Sequence, residues 1–143
     1  MRRRNDSGFT LIEMMIVAEI ISVLAALAFP ALMRQRIQTN EAVAVENLRT
    51  ICTAQISFNT VNLRYGAFEE LTAGDGAMPY LDGLWTQDIV RNEYTFSMTD
   101  LTNDTFTAVA APVTPGRSGI RTFSVSESGE VRIEGGVGGP AAG

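Results

Sequence analysis

From Phe9 to Met33 the chain reads FTLIEMMIVAEIISVLAALAFPALM, 25 residues without a basic side chain. Built as an α-helix rising ~1.5 Å per residue, this run is roughly 37 Å long, enough to cross a hydrocarbon layer of ~30 Å with some tilt. A helix of that length in a water-soluble core shows a polar face, and this one shows none. The run belongs in a bilayer, or in a bundle of helices equally free of water. Its flanks are polar: MRRRNDSG precedes it, and Arg34 and Arg36 follow it.

The rest of the composition narrows the functional classes. With 143 residues, 45% apolar and 19% charged, the chain has material for one domain and is no disordered polyelectrolyte. Its formal charge of −5 comes from 16 acidic residues against 11 basic ones, with no basic stripe, which argues against a dedicated nucleic-acid binder. Histidine is absent, which removes zinc sites built on His, Ser-His and Cys-His pairs, and the commonest general base. The single cysteine, Cys52, cannot form an intrachain disulfide and is expected to be a small buried hydrophobe. Over residues 64–134 the acids are scattered through turns, with no nucleophile-and-base spacing, and the chain has no Gly-x-x-x-x-Gly-Lys loop. The expectation is a protein that is not an enzyme and carries no cofactor.

Two carboxylates, Glu13 and Glu19, interrupt the apolar run. An ionised acid at the centre of a bilayer costs ~2.5–3.5 kcal/mol on insertion scales, so each needs a partner or an escape. Glu13, near the start, has an escape toward the headgroups, whereas Glu19 lies deeper. Three readings of residues 1–33 compete. A secretory signal would be cut after Ala26-Leu27-Ala28, but its apolar region should hold no acids and Pro30 would follow the cut. A plain membrane anchor would keep its N-terminus, with Arg2 to Arg4 opposing Arg34 and Arg36, so that the positive-inside rule favours a cytoplasmic start only weakly.

The third reading is a resemblance. Gly8-Phe9-Thr10-Leu11-Ile12-Glu13, after a short basic leader and before a long apolar helix, resembles the N-terminal signal of type IV pilins and type II secretion pseudopilins. The similarity continues through Met14-Met15-Ile16-Val17-Ala18 and Leu24-Ala25-Ala26-Leu27-Ala28-Phe29-Pro30, and it covers the first 33 residues closely and the remainder only in architecture. It implies that residues 1–8 are a leader, removed by a prepilin peptidase that cuts between Gly8 and Phe9 and methylates the new amine of Phe9. Lacking a Cβ, Gly8 lets the backbone lie close to a peptidase's catalytic groups, although a flexible joint would use the same residue. Loss of the leader would leave 8 basic and 15 acidic side chains, net −7. The resemblance further implies that Glu13 neutralises the N-terminal amine of a neighbouring subunit during filament growth. Pairing relieves two separately expensive buried charges and so rewards one axial register; a pair within the subunit, Phe9 with Glu13, is left open. Glu19 departs from the family pattern, as does Ser22, and this points to a minor or initiating subunit that pairs its extra acid with a different pilin.

Helical signals continue past the apolar run. Residues 34–63 lack Gly and Pro and carry Ile37, Ala44, Leu48, Ile51 and Phe58 on one stripe, with Cys52 beside it. One helix is expected from about Phe9 to about Asn62, membrane-spanning in its first half, amphipathic in its second, bent at Pro30 and ended by Tyr65-Gly66. A loop over 66–92 follows, with a short helix at Leu84–Arg91 and with Tyr80 and Trp85 as anchors or exposed contacts. Asp75 and Asp82, each before a glycine, are candidate fragments of a calcium loop, but they lack the alternating acids of an EF-hand and fit turn chemistry. Period-two alternation over 93–134 predicts an antiparallel meander of 3–4 strands: Tyr94, Phe96 and Met98, then Phe106, Ala108 and Ala110, then Phe123 and Val125, then Val131 and Ile133. Its apolar face would be covered by the amphipathic half of the helix, giving an α+β head over 64–134. The Gly-rich segment 135–143 is expected to be a flexible tail.

The function so implied is a structural subunit of a type IV pilus, a type II secretion pseudopilus or a related filament, held in the inner membrane before assembly and periplasmic or extracellular afterwards. The resemblance implies other pilin or pseudopilin subunits, the prepilin peptidase, the lipid bilayer and an inner-membrane assembly platform with its ATPase as partners. The alternative is a membrane-anchored or secreted binding module that forms no filament.

Overall fold

The computed structural model describes residues 8–74 and 78–136. The expected leader, apart from Gly8, therefore lies outside the described residues, as do Asp75 and residues 137–143 of the expected tail. The chain divides into two compact units, Met1–Gln35 and Arg36–Gly143. Helix α1, Leu11–Asn62, is shared between them and is helical without interruption through Pro30.

In the first unit no described residue is buried. The helix is sustained there by its backbone bonds and by Leu, Met and Ala, all good helix formers, while its apolar side chains are left bare. Phe9 is 82% exposed and Leu27 71%.

The second unit is a helix-on-sheet α+β head. The segment of α1 from residue 36 onward buries Ala44, Leu48, Ile51, Cys52, Ala54, Gln55 and Phe58. This is the predicted stripe, with Ile37 half-buried at its edge. The opposite face carries Thr50, Thr53, Ser57 and Thr60, whose hydroxyls each donate to the carbonyl four residues back. The helix stops three residues before Tyr65-Gly66, because Leu63 turns left-handed at φ 56° and donates its N–H to the Asn59 carbonyl. The end at Asn62 is the one expected, but the residue that makes it is Leu63, which rarely takes that conformation, rather than Tyr65-Gly66.

Five strands form the sheet, not three or four: β1 (Ile89–Arg91), β2 (Tyr94–Thr99), β3 (Thr107–Pro112), β4 (Arg121–Ser126) and β5 (Val131–Gly136). All neighbours are antiparallel, in the order β1-β2-β3-β4-β5. The extra strand stands where a loop and a short helix at Leu84–Arg91 were expected. It is only three residues long, and its turn, Asn92-Glu93, has positive φ at both positions without the Gly that signals such a hairpin. Within the expected loop a short helix does occur, but earlier, as α2 (Phe68–Ala73). The first two residues of the expected tail belong to β5 instead, because Gly135 and Gly136 pair with Thr122 and Arg121 across a bulge at Thr122/Phe123.

The inward-facing residues of β2, β3 and β4 are those the alternation picked out. Tyr94, Phe96, Phe106, Ala108, Ala110, Phe123 and Val125 join the helix stripe in one core with Phe68, Leu71, Leu81 and Trp85. Ile133 pairs with Phe123 yet is 60% exposed. Trp85 stacks on Phe68 at 5.8 Å and meets Phe96 edge-on at 5.4 Å, so of the two roles left open for it, anchor or exposed contact, it is the anchor. Arg91 closes over the outer side of Trp85 at 4.2 Å and donates to the Leu84 carbonyl. Buried Gln55 is fully used: it receives the Gly66 N–H and donates to the Gly66 carbonyl and the Met98 sulfur. Asn40 and Glu41 tie the β3–β4 loop to the helix, Asn40 donating to the Ser118 carbonyl and Glu41 receiving the N–H groups of Ile120 and Arg121.

Candidate functional site

The residues singled out for processing and assembly all lie in the first unit, on or just before α1. Gly8 sits ahead of the helix with open space where a Cβ would be. Among the described residues the fold makes no steric demand for glycine there.

Thr10 is the N-cap of α1 and Glu13 its third helical residue. The Glu13 Oε2 accepts the Thr10 N–H at 2.7 Å and the Thr10 hydroxyl at 2.8 Å, while the Thr10 Oγ1 accepts the Glu13 N–H at 3.3 Å. This is a reciprocal capping box, which satisfies two otherwise orphaned N–H donors and places a negative charge at the positive end of the helix. Its signature, Thr-x-x-Glu before an apolar run, is legible in the sequence, so Thr10 belongs beside Glu13 in any account of this site. Only one carboxylate oxygen is used, and Oε1 has no hydrogen-bond donor among the described residues.

Glu19 is exposed on the same helix, bordered by Ile20, Val23 and Leu24. Ser22, one turn on, spends its proton on the Ala18 carbonyl at 2.7 Å. Pro30 lies inside α1, where it removes the donor to the Ala26 carbonyl. The structure thus brings Thr10 and Glu13 together and leaves Glu19 apart.

Several titratable groups of the second unit are tied into its packing. The thiol of Cys52 is buried, its pKa pushed up by that burial, and it points to the Ser126 carbonyl. Asp82 receives the Trp85 indole N–H on its backbone carbonyl, which is turn chemistry. Among the described residues no group of three His, Cys, Asp or Glu side chains converges on a metal site. Arg64 clamps Glu70 with two hydrogen bonds, at 2.6 and 3.0 Å, and the Ala67 N–H adds a third at 2.9 Å. Glu70's carboxyl is held below its ordinary range chiefly by Arg64 and then by that N–H. Tyr94, buried and near Glu41, has its phenol pushed up to about 12.

Comparison with known proteins finds one family model and several curated relatives. Residues 3–29 match the family model of the prokaryotic N-terminal methylation motif. The chain is 44% identical over 63 residues to the type IV major pilin protein PilA of Myxococcus xanthus, covering 44% of this chain and 29% of that protein. It is 37% identical over 70 residues to the type II secretion system core protein G of Pseudomonas aeruginosa, covering 49% of each. It is also 39% identical over 62 residues to the type IV wide pilus major component PilA4 of Thermus thermophilus, covering 43% of this chain and 47% of that one. The chain thus spans half or less of the length of these curated relatives. No solved structure matches it significantly. The helix α1 is long and apolar enough to cross a membrane. Residues 3–29 therefore carry the prokaryotic N-terminal methylation motif, in a chain similar over 62 to 70 residues to type IV pilins and to type II secretion core protein G.

Proposed function

We propose that this chain is a structural subunit of a type IV pilus, a type II secretion pseudopilus or a related filament. The observation that carries this reading is the match of residues 3–29 to the methylation motif, set on a helix whose apolar surface the chain's own fold leaves uncovered. A head that completes its own core and a rod that buries nothing divide the work between display and packing.

In this reading the prepilin peptidase cuts after Gly8 and methylates Phe9, the subunit waits in the inner membrane, and a platform with its ATPase draws it into a periplasmic or extracellular polymer. The open space around Gly8 supports processing, because nothing in the chain's own packing calls for glycine there. Glu13 serves twice: Oε2 caps its own helix, and Oε1 is available to the ammonium of a neighbouring Phe9. The head takes no part in catalysis. Intact-mass measurement of the chain from its native membranes should find residues 1–8 lost and one methyl group on Phe9. An intact Met1, or a start at Phe29, would overturn the reading.

A further inference from the structure

The two carboxylates of the apolar run are six residues apart, hence ~9 Å along the helix and roughly 120° around it, so they face different neighbours. Their surroundings differ as well. Glu13 holds two donors from its own chain. Glu19 has no partner among the described residues, and the residues one turn away on either side, Met15, Ile16, Ser22 and Val23, include no cation. The one hydroxyl among them, that of Ser22, is committed to the Ala18 carbonyl.

Glu19 also lies ten residues beyond Phe9, ~15 Å along the helix, which is the middle of a ~30 Å hydrocarbon layer and beyond the reach of a short acidic side chain to the headgroups. Whatever matches its charge must come from another helix at that depth. A second copy is a poor source, because the run from Phe9 to Met33 has no basic side chain to offer. Under the filament reading each copy brings one ammonium, at Phe9, against two carboxylates. A polymer of identical chains would therefore leave one acid per subunit unmatched in an environment that penalises it.

We propose that Glu19 is the docking point for a basic side chain carried on the apolar helix of a second, non-identical single-span chain. The partner's chemistry is an apolar span with one Arg or Lys near its midpoint, whose charge against Glu19 selects both the partner and the axial register. This rests on the filament reading in taking the partner to be another subunit and in counting one Phe9 ammonium per copy.

The test places the full chain in phosphatidylcholine vesicles with synthetic Leu-Ala spanning peptides, one with a central Arg and one with Leu in its place. Association is read by energy transfer between dyes on the chain and on the peptide. The Arg peptide should associate at least tenfold more tightly than the Leu peptide. Glu19→Gln, which keeps shape and helix, should abolish the preference, whereas Glu13→Gln should retain it; circular dichroism and head melting serve as folding controls. Equal association of the two peptides would overturn the proposal, as would a preference that survives Glu19→Gln or vanishes with Glu13→Gln. So would energy transfer between labelled copies of the chain as strong as that to the Arg peptide and lost with Glu19→Gln, since the partner would then be a second copy. No peptidase is present, so an untrimmed chain in cells would sink the filament reading and leave this result standing, and the converse holds too.

Discussion

One helix carries two opposite solutions to the burial of apolar surface. Between Leu11 and Gln35, α1 buries nothing, although Ile12, Ile20, Leu24 and Phe29 are each more than half exposed. From Arg36 to Asn62 the same helix sets Leu48, Ile51 and Phe58 into a core closed by β2, β3 and β4. Backbone hydrogen bonding and helix propensity suffice to make both stretches helical. Only the second receives a partner from its own chain. The chain therefore completes its own fold from residue 36 onward and leaves its first unit to be completed by lipid or by other helices, which is why the two regions should respond to mutation in different currencies.

The sharpest way to break this contrast is at its far end. Gly8→Leu puts a bulky side chain where a peptidase would approach, and it should leave residues 1–8 attached and abolish appearance in filaments, while head stability is unchanged; immunoblotting of sheared filaments and thermal melting check the two halves. In the second unit the effects should be on stability instead. Phe96→Ala removes a fully buried ring that meets Trp85 edge-on, and should cost about 3–5 kcal/mol in chemical denaturation of the detergent-solubilised chain. Gly119→Ala should cost about 1–3 kcal/mol in the same assay, because a Cβ there would collide with the Tyr94 ring and hydroxyl, which is fixed by its bond to the Arg121 carbonyl.

Acidification should act on the second unit through Glu70. Its folded pKa is lowered, so its stabilising contribution is fully present above the unfolded carboxyl value of about 4.3 and is lost as pH falls through the lower folded value. Solvent screens the half-exposed pair, so Glu70→Gln should cost no more than about 1 kcal/mol at neutral pH and should flatten the melting-temperature profile in that acid window. The smallest effect should be a gain. Glu93 sits at φ 61° in the β1–β2 turn, and Glu93→Gly should stabilise the head by about 0.4–1 kcal/mol by relieving that strain.

Much of this architecture was legible because it rests on periodicity. The helical stripe from Ala44 to Phe58 and the alternation of Tyr94-Phe96-Met98 and Phe123-Val125 were readable from spacing, and the core uses them as read. What escaped lacked local chemistry of its own. Strand β1 is three residues long with an Asn-Glu turn, held in place by β2 and by Arg91 over Trp85, both tertiary effects. Gly135 and Gly136 join β5 because β4 offers them partners, not because glycine favours strands. Gln55 gave no sign of burial, since its partners, the Gly66 backbone and Met98, are brought to it by the fold. At the candidate site the motif at Gly8-Phe9 and Glu13 is visible in the sequence, and the spacing of Thr10 to Glu13 is itself a capping signal. The isolation of Glu19 depends on the Ser22 hydroxyl bonding to the Ala18 carbonyl, a choice of partner that spacing does not fix.

The claim beneath all of this is that residues 9–33 act through specific contacts with other subunits rather than as a greasy tether. The most direct measurement replaces residues 10–33 with a Leu-Ala span of equal length, keeping Gly8 and Phe9, and quantifies the chain in filaments sheared from the cell surface or, for a pseudopilus, in periplasmic filaments. Membrane insertion and head melting should match the wild type while incorporation falls to background. Incorporation at the wild-type level would contradict the account.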